Sequence, residues 1–263
     1  MNAIRASSLC IIAVALLFAA GDALAQSAAE VVKASSFQGG VAVIVGNGNA
    51  ELPAEIHRLV PASLVHSLAT SPEAVAECRE ELFANRADGK VTCGLWDGKT
   101  VPFVGNFVNL LVLGEGSNVG REELERVLAP GGKAVFIRGG AIETWTKPRP
   151  AEIDEWTHYL YGVDNNPVSK DKRIKPPLYH LQWIGSPRWS RHHDVMSSFS
   201  ACVSADNRVF YIFDEGLTFS PLLPCHWKLI ARDAFNGTIL WKRDIEKWYP
   251  NLHGLKSGPA TLP

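Results

Sequence analysis

Gly46 and Gly48 directly follow the apolar run Val41 to Val45, where glycine lets the backbone approach a bound cofactor closely and turn into a helix. They are the candidate cofactor-binding residues, although the same pair also serves any tight strand-to-helix turn. His192, His193 and Asp194, with His158, His226 and His253, carry the donor types of a metal centre. Neighbouring histidines on a strand point to opposite faces, so the group is read as structural or surface-lying and no metal is assigned. Asp214 and Glu215 have the chemistry for calcium binding or acid and base work, against which stands the ordinary solvated loop pair. Trp183, Trp189, Trp227, Trp241 and Trp248 would suit either an aromatic floor for a flat ligand or core packing. Neither G-x-S-x-G nor G-x-x-x-x-G-K-[ST] occurs, so no catalytic residue is named.

These residues sit in a chain of 263 residues, 46% hydrophobic and 20% charged, long enough for two modest domains. A net charge of −1 without a Lys/Arg block gives no electrostatic footprint for nucleic acid or an anionic membrane. The first 25 residues read as an export signal, with Arg5, an apolar Leu9 to Ala20, and Ala23-Leu24-Ala25 as the cleavage site. About 12 apolar residues fall short of the roughly 20 that span a bilayer, and no later segment is long enough. The reading is therefore an exported protein, periplasmic or extracellular, whose mature chain begins at Gln26.

From Val41 to Ile137 apolar runs alternate with helical patterns. Val41–Val45, Leu64–Leu68, Val91–Leu95, Leu110–Leu113 and Lys133–Ile137 are apolar on both faces, as buried parallel strands are. Glu51–Leu59, Pro72–Ala84 and Arg121–Leu128 are predicted helices, the second opened by Ser71 as N-cap and Pro72. The alternation predicts a doubly wound, Rossmann-like α/β domain over residues 26–146. Lys147-Pro148-Arg149-Pro150 opens a stiff linker, 147–153, beyond which six of the eight tryptophans lie. Residues 154–263 read as all-β, with strands Phe199–Ser204, Arg208–Phe213, Lys228–Arg232 and Thr238–Lys242, and hairpin turns at Asp206-Asn207 and Asn236-Gly237. Asn236-Gly237-Thr238 also fits a glycosylation sequon, but the turn alone explains it.

Two resemblances add to this. Leu128-x-Pro130-Gly131-Gly132, read as a turn before the last strand, with Gly46-Asn47-Gly48 and Ser71-Pro72-Glu73-Ala74, makes residues 28 to 143 similar to class I S-adenosylmethionine-dependent methyltransferases. Two departures make the site that this resemblance implies a degenerate one. The third loop glycine is Ala50, and the acidic residue expected at the end of the second strand is absent from Ser67, Leu68 and Ala69. Losing that carboxylate removes a charge-assisted hydrogen bond typically worth about 1.5–3 kcal/mol. S-adenosylmethionine is accordingly not the expected cofactor, and Glu73 replaces the carboxylate only if its loop bends back.

Ala231, Asp233, Ala234, Gly237 and Trp241 resemble the outer hairpin of a blade in quinoprotein-type β-propellers, and Trp156, Gly162, Asp164 and Asn165 resemble the segment leading into one. This resemblance implies one to two blades of a partial propeller that the remaining blades of a longer chain, or partner strands, would complete. It also implies pyrroloquinoline quinone as a cofactor of the complete protein. Within the blade, Cys202 and Cys225 are the first pair to test for a disulfide among Cys78, Cys93, Cys202 and Cys225, with buried thiols as the alternative. The expectation is an exported binding or scaffolding protein. A quinone-dependent oxidoreductase and an S-adenosylmethionine-dependent methyltransferase are its alternatives.

Overall fold

The computed structural model describes residues 28–46, 49–175, 177–186, 198–218 and 223–246. The export signal, Gly48, His192, His193, Asp194, Trp189, Trp248 and His253 lie outside the described residues.

A six-stranded sheet is built from β1 (Gly40–Val45), β2 (Ser63–Ala69), β3 (Val91–Leu95), β4 (Val108–Leu113), β5 (Leu128–Arg138) and β6 (Ala141–Thr146) in the order β3-β2-β1-β4-β5-β6. β1 to β5 run parallel and β6 returns antiparallel along β5. Residues 28–35 form α1, followed by α2 (Glu51–Leu59), α3 (Pro72–Ala84) and α4 (Arg121–Val127). This is the α/β arrangement that alternating apolar and amphipathic runs demand, because both faces of a parallel sheet must be covered. Val31, Ile56, Val75, Cys78 and Leu82 from α1, α2 and α3 cover one face together with Ala42, Val65 and Leu110. Leu124 and Val127 of α4 join Trp96 and Val101 against Val43, Leu111 and Leu128 on the other.

Local chemistry explains the boundaries. Ser71 caps α3, its hydroxyl accepting from Ala74 N at 3.2 Å, and Pro72 starts the helix where a missing N–H costs nothing. The Pro130-Gly131-Gly132 segment, expected as a turn, lies inside β5. Gly131 adopts φ +78 and donates to Lys147 O at 2.9 Å, while Lys147 N donates to Gly132 O. The glycines therefore form a bulge, and the β4–β5 register slips between Val108 and Leu110. A Cβ on Gly132 would meet Ala129 O at 2.8 Å, so glycine is required by close backbone approach. β6 and α1 were not apparent from periodicity.

A second, four-stranded antiparallel sheet has the order β10-β9-β8-β7, from β7 (Phe199–Ala205), β8 (Arg208–Asp214), β9 (Trp227–Asp233) and β10 (Ile239–Asp244). Asp206 and Asn207, at φ 49 and 60, form the expected two-residue hairpin turn. The β9–β10 turn is longer than the Asn236-Gly237 pair suggests. Asp233 carries on β9, accepts from Phe235 N and Asn236 N, and donates from its own N to Thr238 O. Gly237 takes φ +72 at its end.

Cys202 and Cys225, the pair expected for a disulfide, are thiols in this structure. Cys202 packs with Tyr211 and Ile230 on one face of the sheet, and Cys225 with Ile212 and Trp227 on the other. Nor does Trp241 dock between blades. It sits 6.0 Å from Phe210 of its own sheet, with Arg243 over its ring.

Candidate functional site

In a sheet ordered β3-β2-β1-β4-β5, chain direction reverses its winding between β1 and β4, and ligands bind outside the carboxyl ends of strands at such a point. The crevice there is built by Val45 and Gly46 ending β1, Gly114 following β4, and Asn49 and Leu52 opening α2. Its backbones are drawn together by Gly114 N donating to Val45 O at 3.1 Å and Ser117 Oγ donating to the same carbonyl at 3.1 Å. A Cβ on Gly46 would lie 4.0 Å from Gly114 Cα, so the two glycines leave an open slot.

The slot is small and weakly polar. Its volume is about 130 Å³, against roughly 300–1,000 Å³ for ordinary small-molecule sites, and no charged side chain among the described residues lines it. Helix α2 offers its amino end, but Asn49 Oδ1 already accepts from Glu51 N at 2.6 Å and Leu52 N at 3.3 Å. Glu51 in that first turn further disfavours an anion. Ser67, Leu68 and Ala69 end β2 fully buried, and Glu73 is exposed on the first turn of α3, away from the slot. Gly46 lines the crevice, and no carboxylate among the described residues joins it.

The larger polar constellation lies at the opposite, amino-terminal end of the parallel strands. Asn109 of β4 accepts at Oδ1 from Val41 N (2.8 Å) and Asn236 Nδ2 (2.6 Å), and donates from Nδ2 to Asp233 Oδ2 (2.7 Å). Asn236 Nδ2 also donates to Phe107 O at 2.9 Å, and Asn207 Nδ2 to Pro130 O at 2.8 Å. Burial pushes the Asp233 carboxyl above the ordinary aspartate range, against the opposing hydrogen bonds from Phe235, Asn109 and Asn236. Neighbouring Arg232 is buried and fully engaged, donating to Tyr211 Oη at 2.7 Å, Gly237 O at 2.6 Å and Ser186 O at 2.5 Å. A polar cleft of about 490 Å³ runs beside this junction. The one sequence sign of it was an asparagine inside the apolar run Val108-Asn109-Leu110.

The other residues singled out by type have structural employment. Asp214 is buried and accepts from Gly216 N and His226 N, holding the ends of the β8–β9 connection together. Glu215 pairs with Lys242. Trp183 donates from Nε1 to Ala234 O at 2.9 Å and covers Gly237. His158 is exposed and hydrogen-bonds Thr157. Among the described residues no group of three His, Cys, Asp or Glu side chains is arranged to hold a metal ion. No helix among them is long and apolar enough to cross a membrane.

No protein-family model matches this chain, and no curated relative matches it. Among solved structures it is similar to a putative S-adenosyl-L-methionine-dependent methyltransferase from Methanococcus maripaludis, at 16% identity and TM-score 0.39 over 41% of this chain and 52% of that one. It is also similar to geranyl diphosphate C-methyltransferase from Streptomyces coelicolor A3(2), at 19% identity and TM-score 0.39 over 42% and 44%. A SAM-dependent methyltransferase from Aquifex aeolicus gives 19% identity and TM-score 0.37 over 41% and 62%. The chain thus covers between 44 and 62% of the length of these three.

These similarities fall in the amino-terminal α/β region, and none of the three is a quinoprotein. The quinoprotein-propeller resemblance is corrected by the second sheet itself. The carboxyl-terminal strands make one antiparallel sheet whose turns plug into the α/β layer, and its blade-like motif residues serve that junction. Asp233 accepts from Asn109, and Gly237 lies beneath Trp183. The quinone-dependent oxidoreductase reading falls with it.

Proposed function

We propose that this chain is a binding or scaffolding protein in which the methyltransferase-like α/β layer is a rigid seat for the second sheet. The observation that carries this reading is the switch-point crevice, about 130 Å³ in volume and lined by no charged side chain among the described residues. A nucleoside cofactor needs a larger space, and an acceptor for its ribose hydroxyls is worth tenfold or more in affinity. Side-chain hydrogen bonds among Asn109, Asp233 and Asn236 join the two sheets instead. Export, expected from residues 1–25, is part of the same proposal, since it removes the protein from the cytosolic supply of S-adenosylmethionine.

Calorimetric titration with S-adenosylmethionine and S-adenosylhomocysteine tests it. Binding weaker than about 1 mM is expected for both. Micromolar binding of either would overturn the reading.

A second reading, an S-adenosylmethionine-dependent methyltransferase, is favoured by one observation: Gly46 and Gly114 open the slot at the position where this strand order places ligands. It requires the slot to widen on binding, so the same titration followed by a radiolabelled methyl-transfer assay separates the two readings.

A further inference from the structure

Cys78 and Cys93 are 15 positions apart, yet the fold brings them into one layer. On α3, Val75, Cys78 and Leu82 form the buried stripe. On β3, alternation turns Val91 and Cys93 inward, and all five side chains belong to the same core cluster. Arg79, adjacent to Cys78, donates from Nε to Cys93 O at 3.0 Å, pinning this turn of α3 to the cysteine's own backbone. Both cysteines are buried thiols in this structure. Cys202 and Cys225, the other cysteines among the described residues, are kept on opposite faces of the other sheet.

We propose that Cys78 and Cys93 are a disulfide-forming pair, joined across the α3–β3 contact as the chain folds in an oxidising compartment. The two side chains lie in one buried cluster where α3 packs on β3, the placement that a bond between them requires. Timing follows from burial. At 1% and 3% exposure neither cysteine is open to an oxidant in the folded protein. Burial, and then the neighbouring Cys93, push the Cys78 thiol up to about 12, leaving almost no thiolate at neutral pH. Reaction therefore belongs to the folding chain, before the core closes.

The oxidant is an external disulfide, of a small thiol such as glutathione or of a dithiol protein. One cysteine, as thiolate, attacks a sulfur of that disulfide, forming a mixed disulfide and expelling the first thiolate. The second cysteine then attacks the chain's own sulfur in the mixed disulfide, forming the Sγ–Sγ bond and releasing the second thiolate. The chain loses two electrons and two protons, and the oxidant is reduced to two thiols.

The test uses the full chain, reduced and unfolded, then refolded in a buffer of reduced and oxidised glutathione. Remaining thiols are alkylated in denaturant, and tryptic peptides are mapped without reduction. Cys78 lies in the tryptic peptide 59–79 and Cys93 in 91–99. These two peptides are expected joined, lighter by two hydrogen atoms than their sum, with Cys202 and Cys225 alkylated. Recovery of Cys78 and Cys93 as alkylated peptides overturns the proposal. Closing a loop of about 15 residues should also raise the melting midpoint of the oxidised chain by roughly 5–10 °C over its reduced form. A Cys78→Ala, Cys93→Ala variant should lose that dependence on oxidant. Should the variant not fold, the peptide map of the unaltered chain still decides. The result is independent of whether the crevice binds an adenosyl cofactor.

Discussion

Asn109 Nδ2 donates to Asp233 Oδ2 at 2.7 Å, joining residues 124 positions apart and two different sheets. The same asparagine holds Val41 N and Asn236 Nδ2 through its oxygen, so one half-buried carboxamide fixes the start of β1 and the β9–β10 turn together. Replacing it by Ala orphans a backbone N–H and a carboxyl oxygen. Asn109→Ala should lower stability by about 1–3 kcal/mol in urea unfolding. A change within error would mean that water replaces these bonds at no cost.

Asp233 should give the protein an acid-side pH dependence. Its folded pKa is raised above the ordinary value of 3.8 because burial penalises the carboxylate. The folded state therefore binds the proton more tightly than the unfolded chain does. This contribution is fully present below 3.8, fades as pH rises through the window between 3.8 and the raised folded value, and is gone above it. Unfolding free energies of the unaltered protein and Asp233→Asn, followed from about pH 3 to pH 7, should diverge in that window, the unaltered protein losing relative stability. Parallel curves would show that Asp233 has an unperturbed proton affinity.

Gly237 combines φ +72 with a Trp183 ring packed against its α-carbon. Alanine there must pay about 1–2 kcal/mol for the left-handed backbone and also displace the indole. Gly237→Ala should destabilise the second sheet by at least that much and change the tryptophan near-ultraviolet dichroism. An unaltered spectrum would remove Trp183 from the turn.

Lys147 ends the carboxyl-terminal turn of α4 from outside the helix. Its Nζ donates to Asn106 Oδ1 at 2.6 Å, Leu128 O at 2.7 Å and Glu125 O. Lys147→Met keeps the stem but leaves those carbonyls without a cation, so a loss of about 1–3 kcal/mol is expected. Amide exchange at Asn106 and Phe107, which donate to Arg126 O and Val127 O, should quicken. Unchanged exchange would assign the capping to water.

The α/β layer was readable because its strands are apolar on both faces and its helices carry one stripe. Val41–Val45 and Pro72–Ala84 match β1 and α3 to within a residue. The Pro130-Gly131-Gly132 segment misled, since glycines that permit a turn also permit a bulge, and only pairing with Lys147 distinguishes the two. The blade-like motif misled for a related reason. Asp233, Asn236 and Gly237 are the residues of a good turn, and the turn's partner, Asn109, is invisible to any local pattern. Of the candidate site, Gly46 was legible from its place after β1. The crevice's narrowness was not, because it depends on how Leu52 and Ile137 pack across the slot.

The carboxamide clasp at the beginning of β1 has a kinetic meaning as well. Synthesis is vectorial, so Val41 leaves the ribosome long before the Asn236 that completes the hydrogen bonds of Asn109. A nascent chain can pair its parallel strands early. It must then wait about a hundred residues of translation beyond Arg138 before the last turn arrives to lock the first strand in register.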